Sequence, residues 1–218
     1  MRLLAMDGAL ARCSVALLED GVLRAAEQED TARGHASLLP AMVERVLAQA
    51  GLREAVLDAV AVGVGPGGFT GLRAATALAT GLALGAGCPV IGVTTGEALV
   101  ADLPMETPRD RPIWSVVDNR RGGVLLEAFE PGAILPEGAP ISLELDALPW
   151  PPGPVLVVGD ATALVLARTA AGIAAAGGPV LPSAAAIARV AALRLSGAIP
   201  PRLAAPLYVE PPSVRPPP

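Results

Sequence analysis

Residues 62–73 read VGVGPGGFTGLR. An apolar run, DAVAVGVG (58–65), leads into the glycines, and an alanine-rich, helix-like run follows them as far as Ala86. Gly63, Gly65 and Gly68 spell G-x-G-x-x-G, so the first question is whether the loop cradles a phosphate. A dinucleotide-binding fingerprint needs this turn inside a βαβ unit, with an acid about twenty residues further on. The next strand candidate, PVIGV (89–93), carries no acid, and its nearest carboxylate is Glu97. A P-loop needs a lysine, and all 16 basic side chains of this chain are arginine. Two uses of the glycines stay open. They permit a tight turn and close backbone approach, or the N-terminus of the following helix holds an anion. In either use the residues concerned are Asp7, Gly65, Gly67, Gly68 and Thr70.

The flanking sequence decides the fold class. RLLAMD (2–7), CSVALLED (13–20) and VLRAAEQE (22–29) read as strands, with Asp20-Gly21 as a hairpin turn between the last two. Leu38, Leu39, Met42, Val43, Val46 and Leu47 recur on one helical face, and Gly51 fits a helix stop. A second helix, from about Thr70 to Ala86, has a smooth side made by Gly71, Ala74, Ala75, Leu78, Gly81, Leu82 and Gly85. PVIGV is a strand, and EALVADL (97–103) a short helix. The order β-β-β-α-β-α-β-α puts antiparallel strands first and α/β units after them. That is the order of a ribonuclease-H-like half, not of a dinucleotide-binding domain.

Composition changes at Pro104. Residues 114–129 read as a strand, an Arg-Arg-Gly-Gly turn and a strand, and 131–154 are proline-rich with only short apolar pieces. VLVVGD (155–160) is a strand, 161–176 and 183–197 read as helical, and the closing PPSVRPPP sustains neither helix nor sheet. The expected division is an N-terminal lobe over 1–103 and a smaller second lobe over 104–190. Residues 191–218 are a helix end and proline-rich tail, the helix packing back on the first lobe. No internal sequence repeat stands out.

Composition excludes several classes. At 218 residues and 52% hydrophobic the chain buries a substantial core. The formal charge of −5 and the lack of a basic block argue against nucleic-acid binding on its own. Two uncharged or Ala/Gly-rich stretches, 74–96 and 169–188, are broken by glycine and proline and do not read as membrane spans. Asp7 comes too early for a signal peptide. The expectation is a cytoplasmic protein with no membrane partner, in which Cys13 and Cys88 are reduced thiols. His35 is the only histidine, so a histidine-rich metal site is impossible and no metal is expected. A peptidase would have to use His35 with Ser37, and Ser37 reads better as a helix-start residue.

Taken together, several stretches resemble the TsaB (YeaZ) family of tRNA threonylcarbamoyladenosine biosynthesis proteins. They are MDGALARCSVALLEDG (6–21), RGHASLLPAMVERVLAQAGL (33–52), AVGVGPGGFTGLR (61–73) with PVIGVTTGEAL (89–99), VVDNRRGGVLLEAF (116–129), VVGDA (157–161) and PLYVE (206–210). The match is close over the first hundred residues and only in pattern over 130–200. The resemblance implies a two-lobed α/β fold of the actin/Hsp70/sugar-kinase type with a reduced second lobe. It also implies a non-catalytic partner of a TsaD-type subunit, the enzyme that transfers threonylcarbamoyl to adenosine 37 of tRNAs reading ANN codons. A TsaE-type ATPase and a second copy of the chain are further partners, and tRNA is contacted only indirectly. No cofactor of its own is implied, with ATP or ADP confined to a shared complex interface. The catalytic relative carries a His-x-x-x-His metal pair where this chain has Thr94-Thr95-Gly96-Glu97. Helix-pair association in the family implies an interface, for which Leu39, Met42, Val43, Val46, Ala74, Leu78 and Leu82 are the residues expected. Three positions depart from the family pattern: Gly8-Ala9 where a hydroxyl follows the aspartate, Asn119 where Ala is usual, and Glu210 where Arg often stands. The alternative is a small ATP-dependent enzyme of the same superfamily, with Asp7 and either Asp118 or Asp160 as its carboxylates.

Overall fold

The computed structural model describes residues 1–52, 57–169 and 172–210. β1 (Arg2–Asp7), β2 (Arg12–Glu19) and β3 (Val22–Asp30) form an antiparallel meander. Asp20 and Gly21 turn its second hairpin with φ of 50° and 80°, the left-handed geometry of a two-residue hairpin turn. α1 (His35–Gln49), β4 (Ala59–Gly65), α2 (Phe69–Ala86), β5 (Val90–Thr94) and α3 (Thr95–Ala101) follow. β4 pairs parallel with β1, and β5 parallel with β4, giving the order β3-β2-β1-β4-β5. This is the ribonuclease-H-like sheet expected from the element order.

The sheet is covered on both faces, which is why β1 and β4 read as continuous apolar runs. Leu4, Met6, Val60 and Val62 point toward α1 and α2. Leu3, Ala5, Ala59 and Ala61 point the other way, toward α3 and α5 (Ala184–Leu195).

The second sheet repeats the first. β6 (Ile113–Asp118), β7 (Gly123–Phe129) and β8 (Ile141–Glu144) are an antiparallel meander, and β9 (Val155–Val158) and β10 (Ala174–Ala176) add in parallel. The order β8-β7-β6-β9-β10 has the same connectivity as the first sheet. What is reduced is the helices. A three-residue 3-10 turn, Leu145–Ala147, stands where α1 would be, and α4 (Thr162–Leu166) replaces the long α2. Both lobes are therefore the expected actin-like halves, the second with its covering helices shrunk.

Two expectations need correction. Residues 161–176 are not one helix: the chain leaves α4 after five residues, turns at Gly172 with φ of 90°, and Ala174–Ala176 pair with Val155–Val157. Alanine has the best helix propensity, but an open strand edge offers backbone partners that override it. The lobe boundary also moves. The whole of α5, not only its end beyond 190, lies on the first sheet through Ala184, Ile187, Ala188 and Ala191. α3 in turn reaches the second sheet, where Leu99, Val100 and Leu103 pack with Ile113, Phe129 and Leu156. The proline-rich end, 211–218, lies outside the described residues.

Candidate functional site

Two glycines of 62–73, Gly67 and Gly71, are set by close backbone contacts. A Cβ on Gly71 would lie 1.9 Å from the carbonyl oxygen of Gly8, and one on Gly67 would lie 2.3 Å from that of Ala9. The β1–β2 loop is thus pressed against the start of α2, and the Gly68 N–H donates to the Ala9 carbonyl at 2.7 Å. Gly65, at the end of β4, has φ of 97°, which favours glycine. Gly8, the first departure from the family pattern, belongs to the same contact. Gly67, Gly68 and Thr70 do line a cleft, but the Gly68 amide is already spent on the chain itself.

That cleft, of about 940 Å³, opens between the lobes. One side is made by the β1–β2 loop, Arg33–Ala36 and the start of α2. The other is made by the β6–β7 turn and Asp160, and Leu207–Glu210 close the mouth. Asp118 and Asp160 do meet, but as parts of a closed cluster. Asp160 accepts from the Asp118 N–H at 2.9 Å and from Arg120 at 3.3 Å, and Arg120 also pairs with Asp118 at 3.1 Å. Burial raises the Asp160 carboxyl above its ordinary range, against the hydrogen bond from the Asp118 amide. Asp7 does not join them. Its side chain is buried on the far face of the sheet beside Gly63 and Ile187, outside the cleft lining. One of its oxygens accepts from the Ala9 N–H at 3.1 Å, the other has no partner, and desolvation pushes its pKa up to about 7. His35 Nε2 is 3.0 Å from the Leu10 carbonyl, and the Ser37 hydroxyl donates to the Gly34 carbonyl, so the two do not form a catalytic pair. Among the described residues no group of three His, Cys, Asp or Glu is arranged to hold a metal.

The segment after β5 is spent on structure. Thr94 and Glu97 form a reciprocal capping box at the start of α3. Glu97 is fully buried and takes a 2.5 Å hydrogen bond from Arg194 of α5, with Arg202 at 3.6 Å. The neighbouring Gly96 N–H donates to Glu127 of the second lobe at 2.9 Å. Burial pushes the Glu127 carboxyl up to about 7, against the hydrogen bonds from Thr94 and Gly96 and with help from the charge of Glu97. The sequence did hold one signal for this site, the T-x-x-E spacing of a capping box. Glu127, Arg194 and Arg202 carry none, since each sits singly in an otherwise unremarked strand, helix or loop.

The expected partner face is half overturned. Leu39, Met42, Val43 and Val46 are at most 2% exposed, packed with Leu4, Met6 and Val15 in the core. The one apolar face of α1 is consumed by its own sheet, so these four residues have nothing to present to a partner. Ala74, Leu78 and Leu82 of α2 are half-buried, with Leu78 and Leu82 leaning on the same core. The outward side of α2 is instead Ala77, Gly81, Leu84 and Gly85, with Leu84 82% exposed. No atom lies within 4 Å of a Cβ placed on Gly81 or Gly85, so the chain's own packing does not require either glycine. No helix of the described residues is long and apolar enough to cross a membrane.

Comparison with known proteins fits this geometry. The family model of TsaD, tRNA N6-adenosine threonylcarbamoyltransferase, matches residues 26–132. The chain is 45% identical over 130 residues to the tRNA threonylcarbamoyladenosine biosynthesis protein TsaB of Escherichia coli K12, which is 60% of this chain and 55% of the relative. To TsaB of Haemophilus influenzae it is 36% identical over 124 residues, 57% of this chain and 52% of the relative. The chain thus spans about half the length of the curated relatives it matches. The solved structure of YeaZ from Pseudomonas aeruginosa superposes with a TM-score of 0.81 at 28% identity, over 95% of this chain and 99% of that one. A second Pseudomonas aeruginosa structure, described as an uncharacterized protein with similarity to peptidase YEAZ, gives 0.82 at 27%. The resemblance read from the sequence therefore stands: this chain is similar to the TsaB/YeaZ proteins, in sequence over a little more than half of its length and in fold over nearly all of it.

Proposed function

We propose that this chain is a non-catalytic subunit in threonylcarbamoyladenosine modification of tRNAs reading ANN codons, acting in the cytoplasm as partner of a TsaD-type enzyme. The observation that carries the reading is the use made of Thr94–Glu97. The position that the resemblance aligns with a metal-binding histidine pair is a helix cap locked by Arg194. Threonine, glycine and an arginine-paired glutamate are a poor ligand set for a transition metal.

The outward side of α2 supplies a docking surface in this reading. Glycine in a helix costs about 1 kcal/mol relative to alanine, and Gly81 and Gly85 repay none of it inside the chain. Their smallness, beside the exposed Leu84, suits a partner helix at close range, whether from a TsaD-type subunit or a second copy. A TsaE-type ATPase joins the assembly, nucleotide is bound only where subunits meet, and tRNA contacts come from the partner. The alternative, an ATP-dependent enzyme, is weakened by Asp7 lying outside the cleft and by Arg120 occupying Asp118 and Asp160.

The test is reconstitution: TsaD-, TsaC- and TsaE-type proteins of the same source with tRNA, ATP, threonine and bicarbonate, with and without this chain. Modified adenosine is expected only when the chain is present, and the chain alone should be inert. Equal product without it sinks the proposal.

A further inference from the structure

We infer that residues 202–210 form a strap that ties the two lobes together across the mouth of the cleft. The segment starts on the first lobe, where the Arg202 carbonyl accepts from the Gly92 N–H of the edge strand β5 at 3.0 Å. The chain lies so close there that a Cβ on Gly92 would be 2.2 Å from the Leu203 carbonyl oxygen. Further on, the Leu207 N–H donates to the Val64 carbonyl at the end of β4, at 2.7 Å.

Tyr208 then stacks on Phe69 with ring centroids 5.4 Å apart. Arg73 lies 3.6 Å above the Phe69 ring and donates to the Tyr208 hydroxyl at 2.8 Å. Val209 joins the apolar floor between the lobes, beside Ala9 and Leu72 of the first and Val117 and Leu125 of the second.

Glu210 completes the crossing on the second lobe. It takes hydrogen bonds from Ser142 and from Asn119, the latter at 3.2 Å, and pairs with Arg121 at 2.7 Å. Asn119 in turn accepts the Arg121 and Gly123 amides, shaping the β6–β7 turn. Two of the three positions at which this chain departs from its family pattern, Asn119 and Glu210, thus meet each other. A change of Glu210 alone to arginine would set a like charge against Arg121, so the pair works as a unit in this chain. Leu207–Glu210 also form part of the cleft wall, so releasing the strap would free the lobe angle and widen the cleft together.

Backbone amide exchange followed by NMR on the full chain tests this. Glu210 touches only the second lobe, while the Leu207 amide is bonded only to the first. Glu210→Ala should speed exchange of the Leu207 amide by about tenfold, the loss of hydrogen bonds to a charged group discounted for partial exposure. Glu210→Gln keeps an acceptor for Ser142 and Asn119 and should fall between. In the reverse direction, Tyr208→Ala should speed exchange of the Arg121 and Gly123 amides in the other lobe. The Leu4 and Met6 amides in the core report that neither variant has unfolded. If Glu210→Ala leaves Leu207 unchanged, or each variant affects only the lobe it touches, the segment is a tail lying on one lobe and the strap is refuted.

Discussion

Two Gly→Ala substitutions in one helix should move stability in opposite directions. Gly71 lies in the first turn of α2, and its Cβ would sit 1.9 Å from the Gly8 carbonyl oxygen. Backbone on both sides leaves no side chain to swing away, so the β1–β2 loop has to retreat by more than an ångström. That retreat also pulls the Ala9 carbonyl from the Gly68 N–H, a 2.7 Å bond. Overpacking of this kind costs about 1–3 kcal/mol, and a backbone clash belongs at the upper end. Alanine returns about 1 kcal/mol of helix propensity, so Gly71→Ala should destabilise by about 2 kcal/mol. Gly81 lies on the same helix with nothing within 4 Å of its Cβ position. Gly81→Ala therefore collects the propensity alone and should stabilise by about 0.5–1 kcal/mol. Urea denaturation, with the midpoints compared at constant slope, reads both. If Gly71→Ala is as stable as the parent, the glycine loop is not held by close backbone approach. The anion-binding reading of its glycines would then return.

Other substitutions separate core from surface. Val43→Arg puts an unpaired charge at a position 2% exposed; it should cost about 3–5 kcal/mol and give insoluble or unfolded chain in circular dichroism. Leu84→Arg, at a site 82% exposed, should leave the melting curve within about 0.5 kcal/mol of the parent yet lower co-purification with a TsaD-type subunit. Arg194→Ala strands the buried Glu97 and should cost about 3 kcal/mol, the low end for a broken buried pair because Arg202 stays 3.6 Å away; no loss in urea would show that Arg202 replaces it. The pH profile carries a sign. Asp7 and Glu127 keep their protons to about 7 when folded, whereas unfolded carboxyls release theirs near 4. The folded state thus binds more protons between those values, and stability contributed by these groups falls as pH rises through that window and levels off above it. Asp7→Asn should narrow the gap between urea midpoints at pH 5 and pH 8, and an unchanged gap would mean that Asp7 is ionised in the fold.

The sequence was most informative where one periodicity had one use. The strand-strand-strand-helix opening, the Asp20-Gly21 turn and the apolar faces of β1 and β4 each had a single packed solution. The face of α1 misled for the same reason. Six apolar residues on one side of a helix are what its own sheet requires, and periodicity carries no mark that separates this from a partner surface. Residues 161–176 misled differently, because alanine fits a short helix and a short edge strand equally well in pattern. The duplication of the fold left no trace in the sequence, since two sheets can share connectivity while their helices differ in length from eighteen residues to five. Glu127 was invisible because a lone acid in a strand looks like a solvent-facing residue until the first lobe, through Gly96, is placed over it.

The exchange of helices between the lobes explains why the segment after β5 is built as it is. α3 packs on the first sheet through Ala98 and reaches β6 and β7 through Leu99, Val100 and Leu103, while α5 leaves the second sheet and packs on β1 and β2. Where these two crossings meet, the chain places Gly96 against Glu127 and Glu97 against Arg194. A site that must bind and release a ligand needs groups with free valences facing solvent. Here Thr94, Thr95, Gly96 and Glu97 are all buried, and each has a partner inside the chain. The same stretch cannot serve as an open metal site and as the joint between two lobes. In this chain the joint has taken it.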